Sequence, residues 1–396
     1  MLLRFMWLGG MTMNAISIEC VETRDKFNRL GGFWNELLAA SDNDNPFMTH
    51  EWFSCWWDVF GGNVQPAIFV VKKNGCPVAI APFMIARVSW RKMPVRALMF
   101  LGQGHASRSG LILEDTDPRV MAIVFHHVAR RSSDYDIAWF DYIVKGSRTD
   151  QVIGARAYEG KLRSVAMQSD RSPYIAVMQD WDVFFKTRSS KLRQKIGNVT
   201  RRLSLQGDFS VVMHNTAEDR TMIDAMLEVS RQTWKYRTRT AIASSVADEE
   251  FYRRVAETAA DKGWLNLWLL LCCRQPVAFA FNMHYKSKVY AMKIGYDERY
   301  GALSPGEYLN YHAIRECFDA GRAEYDWLGK AEAFKMRWTS DLREHCRYYF
   351  FSDSLYGKGL YMAGYFIAPA ARHMRKVLKI IKGAHILHAH TDIVSH

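Results

Sequence analysis

The stretch 289–338, VYAMKIGYDERYGALSPGEYLNYHAIRECFDAGRAEYDWLGKAEAFKMRW, constrains the fold of this chain more than any other. It reads as strand, loop, helix, strand and a short basic-aromatic segment. Ser304-Pro305-Gly306-Glu307 is a helix start: Ser304 can cap, Pro305 suits the first helical position, and Glu307 lies three residues past the cap. Tyr311, Ile314 and Phe318, flanked by Leu309, Ala313 and Cys317, form a wide apolar face, with Arg315, Asp319 and Arg322 opposite. Gly321 supplies the stop. A helix between two apolar strands is a βαβ unit, so the strands run parallel and the helix N-terminus lies at a strand's carboxyl end, where such units hold anionic ligands.

The rest of the chain repeats this plan. AIFVVKK (67–73) and PVAIAPFMIAR (77–87) flank Asn74-Gly75, a hairpin signal. In the second half LNLWLLLCC (265–273) turns at Arg274-Gln275 into PVAFAFNMHY (276–285), so that Pro77-Val78-Ala79-Ile80-Ala81 matches Pro276-Val277-Ala278-Phe279-Ala280. The first hairpin leads through a basic loop (87–96) to the strand LMFLG. Each half then reaches a helix begun by proline (Pro118, Pro305) and a strand with Asp and Trp (Trp139 and Asp141; Asp326 and Trp327). The shared order points to a duplicated α/β unit joined near 145–170. The expected domains are 1–165, 166–352 and a basic helical tail, 353–396. Residues 20–62 read as helical and Trp-rich, with core packing preferred over base stacking for Trp52, Phe53, Trp56, Trp57 and Phe60.

Between the repeats, Leu192, Ile196, Val199 and Leu203 form one apolar stripe of a helix that Ser189 or Ser190 can cap and Gly207 can end. Residues 183–207 carry Lys186, Arg188, Lys191, Arg193, Lys195, Arg201 and Arg202 and no acid. Seven cations that lack local acids are either a solvated face or a phosphate-binding surface. The net charge of +12 likewise favours anionic partners.

Seven cysteines, odd in number and without C-x-x-C, suit a reducing compartment. Residues 1–16 mimic a weak signal peptide, but polar interruptions and the lack of a cleavage site argue against one, and Met11 or Met13 could be the start. The sequence predicts no membrane span and a cytoplasmic protein, with the inner membrane face left open as a peripheral location. His385, His388 and His390 lack carboxylates at ligand spacing, so no metal is expected. Neither a P-loop nor a G-x-S-x-G elbow occurs.

The order of basic helix, PVAFAF strand, SPGEYL helix and YDWLGKAEAFKMRW resembles the GNAT-type acyltransferase-like domain of the cellulose-biosynthesis CelD-like family, related to the Fem-type peptidyltransferases. The first half, with Pro46, Phe47, Trp52 and PVAIAPF, resembles that family's first half. The resemblance implies a tandem duplicated GNAT-like acyl-CoA N-acyltransferase fold of mixed sheets and flanking helices, α/β (α+β) in class. It places the thioester arm of acetyl-CoA or another acyl-CoA in a splay between 289–295 and 323–328, bordered by Ile294, Gly295, Arg299, Ser304 and Gly306. Asp326 is the expected base for an amine or hydroxyl acceptor, Tyr296 the acid, and Lys335, Trp338, Lys191, Arg193 and Lys195 the substrate contacts. The turn DERYGALSPG is poor in glycine for a pyrophosphate, and Glu307 would bring a carboxylate beside it. The resemblance also leaves open a Fem-type transferase with aminoacyl-tRNA as donor, and a non-catalytic module that binds an anionic surface. Its biological setting would be the envelope or exopolysaccharide synthesis.

Overall fold

The computed structural model describes residues 15–114, 117–158, 163–205, 208–218, 220–238 and 241–367. The extreme N-terminal segment, Gly207, most of the expected basic tail and its histidine cluster lie outside them. The strands are β1 (Ile16–Val21), β2 (Val64–Lys73), β3 (Cys76–Trp90), β4 (Met93–Phe100), β5 (Ile112–Leu113), β6 (Ile137–Val144), β7 (Arg163–Ala176), β8 (Phe209–His214), β9 (Leu265–Cys272), β10 (Gln275–Tyr285), β11 (Lys288–Tyr296), β12 (Glu324–Asp326) and β13 (Leu342–Phe351). They join in one mixed sheet, ordered β1-β2-β3-β4-β6-β13-β7-β12-β11-β10-β9-β8, with β5 paired to β3.

The two matched prolines occupy the same local structure. In the β2–β3 hairpin Val71 pairs with Ala79 and Lys72 with Pro77, so Val78 is an extra residue. In the β9–β10 hairpin Leu270 pairs with Ala278 and Leu271 with Pro276, so Val277 is extra. Proline cannot donate to a ladder, and a bulge beside it relieves the missing bond. The repetition continues outward. β4 pairs with β6 in parallel through Ala97–Ile137, Leu98–Ala138 and Met99–Trp139. β11 pairs with β12 in parallel through Lys288–Glu324, Val289–Tyr325 and Tyr290–Asp326.

Several local expectations are corrected. The basic segment near 87–96 is a tight hairpin, because Arg91 and Lys92 both adopt positive φ (50° and 69°) and let β3 run directly into β4. The later turn is Cys273-Arg274 (φ 50° and 65°), one residue earlier than the sequence suggests. The 145–170 joint holds a helix, Arg148–Tyr158, and the start of β7. β8 has no counterpart in the sequence reading.

Helix Pro118–Arg130 packs Val120, Val124 and Val128 against Phe83, Phe100 and Phe140 on one face of the first repeat. In the second repeat, helices Ser190–Leu205 and Pro305–Asp319 bury Leu192, Ile196, Val199 and Leu203 beside Leu309, Ala313, Ile314 and Phe318. The other face is one core shared by both repeats. Its Trp-rich helix His50–Phe60 meets helix Val246–Asp261, with Trp52 edge-on to Phe251 at 5.2 Å. The tryptophans are therefore core residues.

The closing strands are exchanged. β7, which follows β6 in the chain, pairs with β12 at Tyr174–Ala176 and with β13 along the rest of its length. β13, which follows β12, inserts between β6 and β7. Each repeat is thus closed by a strand that packs against the other repeat's Asp-bearing strand.

Candidate active site

The parallel pairing of β11 ends at Tyr290, yet β11 runs on to Tyr296 with β10 on one side and, among the described residues, no strand on the other. The expected splay between 289–295 and 323–328 is present in this geometry. It opens a pocket of about 620 Å³ lined by β11, the helix start at Ser304–Glu307 and the 327–335 segment. In the first repeat the corresponding gap is filled. The chain turns after β4 at Gly102 and Gly104, the Gln103 carboxamide accepts the Asp141 N–H (3.2 Å), and Ser109 N–H donates to the Tyr142 carbonyl (3.1 Å).

β11 presents different chemistry on its two faces. A methyl group at Gly306 would lie 3.5 Å from Ile294 Cδ1 and 3.7 Å from Tyr296 Cδ1, so these two side chains face the helix start. A methyl at Gly295 would lie 2.5 Å from the Phe279 ring and 2.9 Å from Thr233, so the intervening residue faces the opposite layer. Phe281 pairs with Lys293 and Asn282 with Ala291, leaving Met292 as a bulged residue on the open strand. The bulge breaks the regular ladder with β10 at this point of the strand.

Helix Pro305–Asp319 begins differently from the expected capping box. Ser304 has φ +54° and makes no side-chain cap bond. Pro305 has no N–H, and Glu307 and Tyr308 N–H both turn back to the Ser304 carbonyl (3.1 and 3.3 Å). Gly306 N–H has no partner among the described residues. The Glu307 carboxylate accepts from Lys195 (2.9 Å) and from Arg337. Two cations on one carboxylate leave the helix start net positive, which removes the objection that Glu307 would repel a phosphate.

The expected residues divide into three groups. Ile294, Gly295, Tyr296, Ser304, Gly306, Lys195 and Lys335 line the pocket. Lys335 is buried and donates to the Leu328 (3.0 Å) and Lys330 (3.3 Å) carbonyls while pairing with Glu332 (3.0 Å). It thereby holds the left-handed turn Leu328-Gly329 (φ 52° and 57°) in the pocket wall. Arg299, Lys191 and Arg193 lie outside the pocket; Arg299 forks onto Asp297 (2.9 and 2.6 Å), and Lys191 and Arg193 are exposed. Trp338 is fully buried beside Trp181 and Phe185 and does not reach the pocket.

Asp326 is also sealed. Its Oδ2 accepts from Arg108 (2.6 Å) and Arg343 (2.7 Å), and its Oδ1 accepts the Leu328 N–H (2.9 Å). Burial pushes its carboxyl up, but the Arg108 and Arg343 guanidiniums outweigh burial and hold it below the ordinary range. This geometry suits a carboxylate that orients the pocket wall. Arg343 also bridges to Glu324 (2.8 Å), and Arg108 reaches Ser172 (2.9 Å). Arg108 comes from the loop that fills the first repeat's gap, and its neighbour Ser107 lines the pocket of the second.

Sequence reasoning missed Ser107, Trp234, Lys235, Lys293 and Asn310 in the lining. Lys235 Nζ donates to the Ile294 carbonyl (2.8 Å). Burial first, then the neighbouring Lys293, depress its ammonium below the ordinary lysine range. Trp327 also lines the pocket, and its indole N–H is buried without a hydrogen-bond partner among the described residues.

Residues 190–336 match a family model described as Acetyltransferase (GNAT) domain. The fold is shared with FemX (TM-score 0.56, 12% identity, 80% of this chain and 95% of that one). It is shared too with the C-terminal domain of a putative lysylphosphatidylglycerol synthetase from Agrobacterium fabrum (TM-score 0.53, 11% identity, 84% and 95%). A tandem GNAT protein from the clavulanic acid biosynthesis pathway superposes over 85% of this chain and 98% of its own (TM-score 0.51, 9% identity). No curated protein sequence matches the chain. The architecture is that of a tandem GNAT fold. Among the described residues no helix is long and apolar enough to cross a membrane, and no group of three or more side chains is placed to hold a metal ion.

Proposed function

We propose that the chain is an acyltransferase that moves an acyl group from a coenzyme A thioester to an amine or hydroxyl acceptor. The observation that carries this reading is the open splay beside β11, with the unpartnered Gly306 N–H at one end and the bulged Met292 within it. The Gly306 N–H, Lys195 and the helix start are suited to the donor's phosphates. Free backbone N–H groups of β11 would stabilise an oxyanion that develops as the acceptor nitrogen attacks the thioester carbonyl. The C–S bond then breaks, Tyr296 O–H gives its proton to the sulfur, and the acceptor's proton leaves through water in the pocket. Asp326 acts through position, fixing Arg108 and the Leu328 turn. The envelope or exopolysaccharide setting rests on the motif resemblance alone, whereas a place in the cytoplasm or at the inner membrane face rests on the cysteine usage and the lack of an apolar span in the sequence.

The test is thermal stability of the full chain with coenzyme A, acetyl-CoA and tRNA. A ligand at about 100 times its Kd stabilises by about 2.7 kcal/mol, a readily measured rise in Tm. The reading expects that rise with the coenzyme and none with tRNA. Stabilisation by tRNA alone, weakening as salt rises, would replace it with the Fem-type reading; no response to either would leave a non-catalytic module.

A further inference from the structure

Every carboxylate in the lining of this pocket is already matched by a cation. Glu307 is held by Lys195 and Arg337, and Glu332 by Lys335. Two lining ammonium groups are not so matched. Lys235 is half-buried and its ammonium donates to the Ile294 carbonyl. Lys293 lies with its ammonium 5.1 Å from the centroid of the Tyr252 ring. Neither has an ion pair to a carboxylate among the described residues. Lys293 is close enough to disfavour the Lys235 charge, an effect that Glu332 offsets in part and Lys335 adds to. Ammonium groups without an ion-pair partner, drawn from water into a shared cavity, are a cost to the fold that a bound anion reverses.

Their placement says which substrate supplies the anion. Ile294 and Tyr296 face the helix start at Gly306, whereas Gly295 abuts Thr233 and Phe279. Lys293 alternates with Ile294 along the strand and so stands on the Gly295 face. Lys235 belongs to the segment after Thr233 on that same side, and a small cleft is bounded by Thr233, Lys235, Lys293 and Gly295. The helix-start phosphate site and the lysine pair are therefore separated by the sheet and meet only through the splay.

We infer that the acceptor carries a carboxylate or phosphate group, which Lys235 and Lys293 hold on the face of β11 opposite the donor's phosphates. This rests on the acyltransferase reading. The anion would fix the acceptor so that its nucleophilic nitrogen or oxygen reaches the splay, and it would select against neutral amines.

The test uses the full chain and calorimetric titration with inorganic phosphate and with malonate, each with and without saturating coenzyme A. The expected result is binding of one or both anions that persists when coenzyme A is bound. The arm that binds more tightly tells phosphate from carboxylate. Lys235→Gln with Lys293→Gln should weaken that binding by roughly tenfold or more, as expected for loss of charge-assisted hydrogen bonds, while coenzyme A affinity stays within about threefold. Lys293→Arg, which keeps the charge, should retain most of it. Failure of the native chain to bind either anion, equal binding by the double variant, or mutual displacement of anion and coenzyme A would each overturn the inference. If coenzyme A itself does not bind, the donor reading fails, and the inference built on it falls with it.

Discussion

Asp326, next in the chain to Trp327 of the pocket lining, and the buried His345 are both governed by the same buried guanidinium, that of Arg108. Replacing Asp326 with Asn leaves Arg108 and Arg343 facing each other across an uncharged amide. Removing one partner of a buried ion pair costs about 3–5 kcal/mol, so Asp326→Asn should lower Tm strongly in a thermal melt. A base lost without loss of structure would instead reduce turnover at unchanged Tm. His345 is 1% exposed; its Nδ1 bonds the Asp170 carbonyl (3.1 Å), and its Nε2 has no partner among the described residues. Burial, then the Arg108 charge, push its pKa down to about 4. The folded chain therefore refuses a proton that the unfolded chain accepts near pH 6.5. Stability from this group is whole above about pH 6.5 and is lost as pH falls toward 4, by roughly 3 kcal/mol in total. Below that pH both states are protonated and the loss stops. His345→Gln should flatten that part of a Tm-against-pH curve; a curve as steep as the native one would refute the assignment to His345.

At the scale of elements, the basic helix Ser190–Leu205 divides its charges by position. Leu192, Ile196, Val199 and Leu203 fix which side is buried, and Ser189 Oγ caps it through Leu192 N–H (3.2 Å). Lys195 is thereby turned to Glu307, and Arg202 to the Ala302 carbonyl (3.0 Å), while Lys191 and Arg193 point to water. Lys195→Ala should weaken coenzyme A binding by roughly 3- to 10-fold, the scale of one partly exposed charge contact near a helix start. Lys191→Ala with Arg193→Ala should leave it within about twofold. Titration calorimetry on the two variants checks both. The apolar stripe and the amphipathic helix after Pro305 were legible because 3.6-residue periodicity reports burial directly. Ser304 was misread because a serine before Pro-Gly-Glu suits a side-chain cap, whereas its actual φ of +54° is set by the turn entering from Glu298–Leu303. Lys235 and Ser107 could not be read as site residues, since each reaches the pocket only through contacts distant in the chain. Asp326 was expected as a base because the arginine that helps seal it could not be read beside it: Arg108 lies 218 residues away in sequence.

For the whole molecule, the exchange of β7 and β13 makes the repeats interdependent. A chain divided between residues 178 and 179 would yield one piece that lacks β13 beside β6 and another that lacks β7 beside β12. Each piece alone would bare a long edge strand and should be insoluble. Produced together, the two should co-purify as a folded pair, seen as one band by size-exclusion chromatography with a single melting transition. Soluble, separately folded pieces would contradict the exchanged topology. The repeat itself was visible in Pro77-Val78 and Pro276-Val277, but the exchange was not, because a strand's hydrophobic pattern says that it is buried and not beside which partner.

The filled gap of the first repeat has a consequence for inheritance. With Gln103 plugging its own splay, that repeat has no vacant cleft there to conserve, yet the same loop lends Ser107 and Arg108 to its twin. Drift in residues 102–110 is thus policed from the far half of the chain. The half without an open splay answers for the shape of the half that has one.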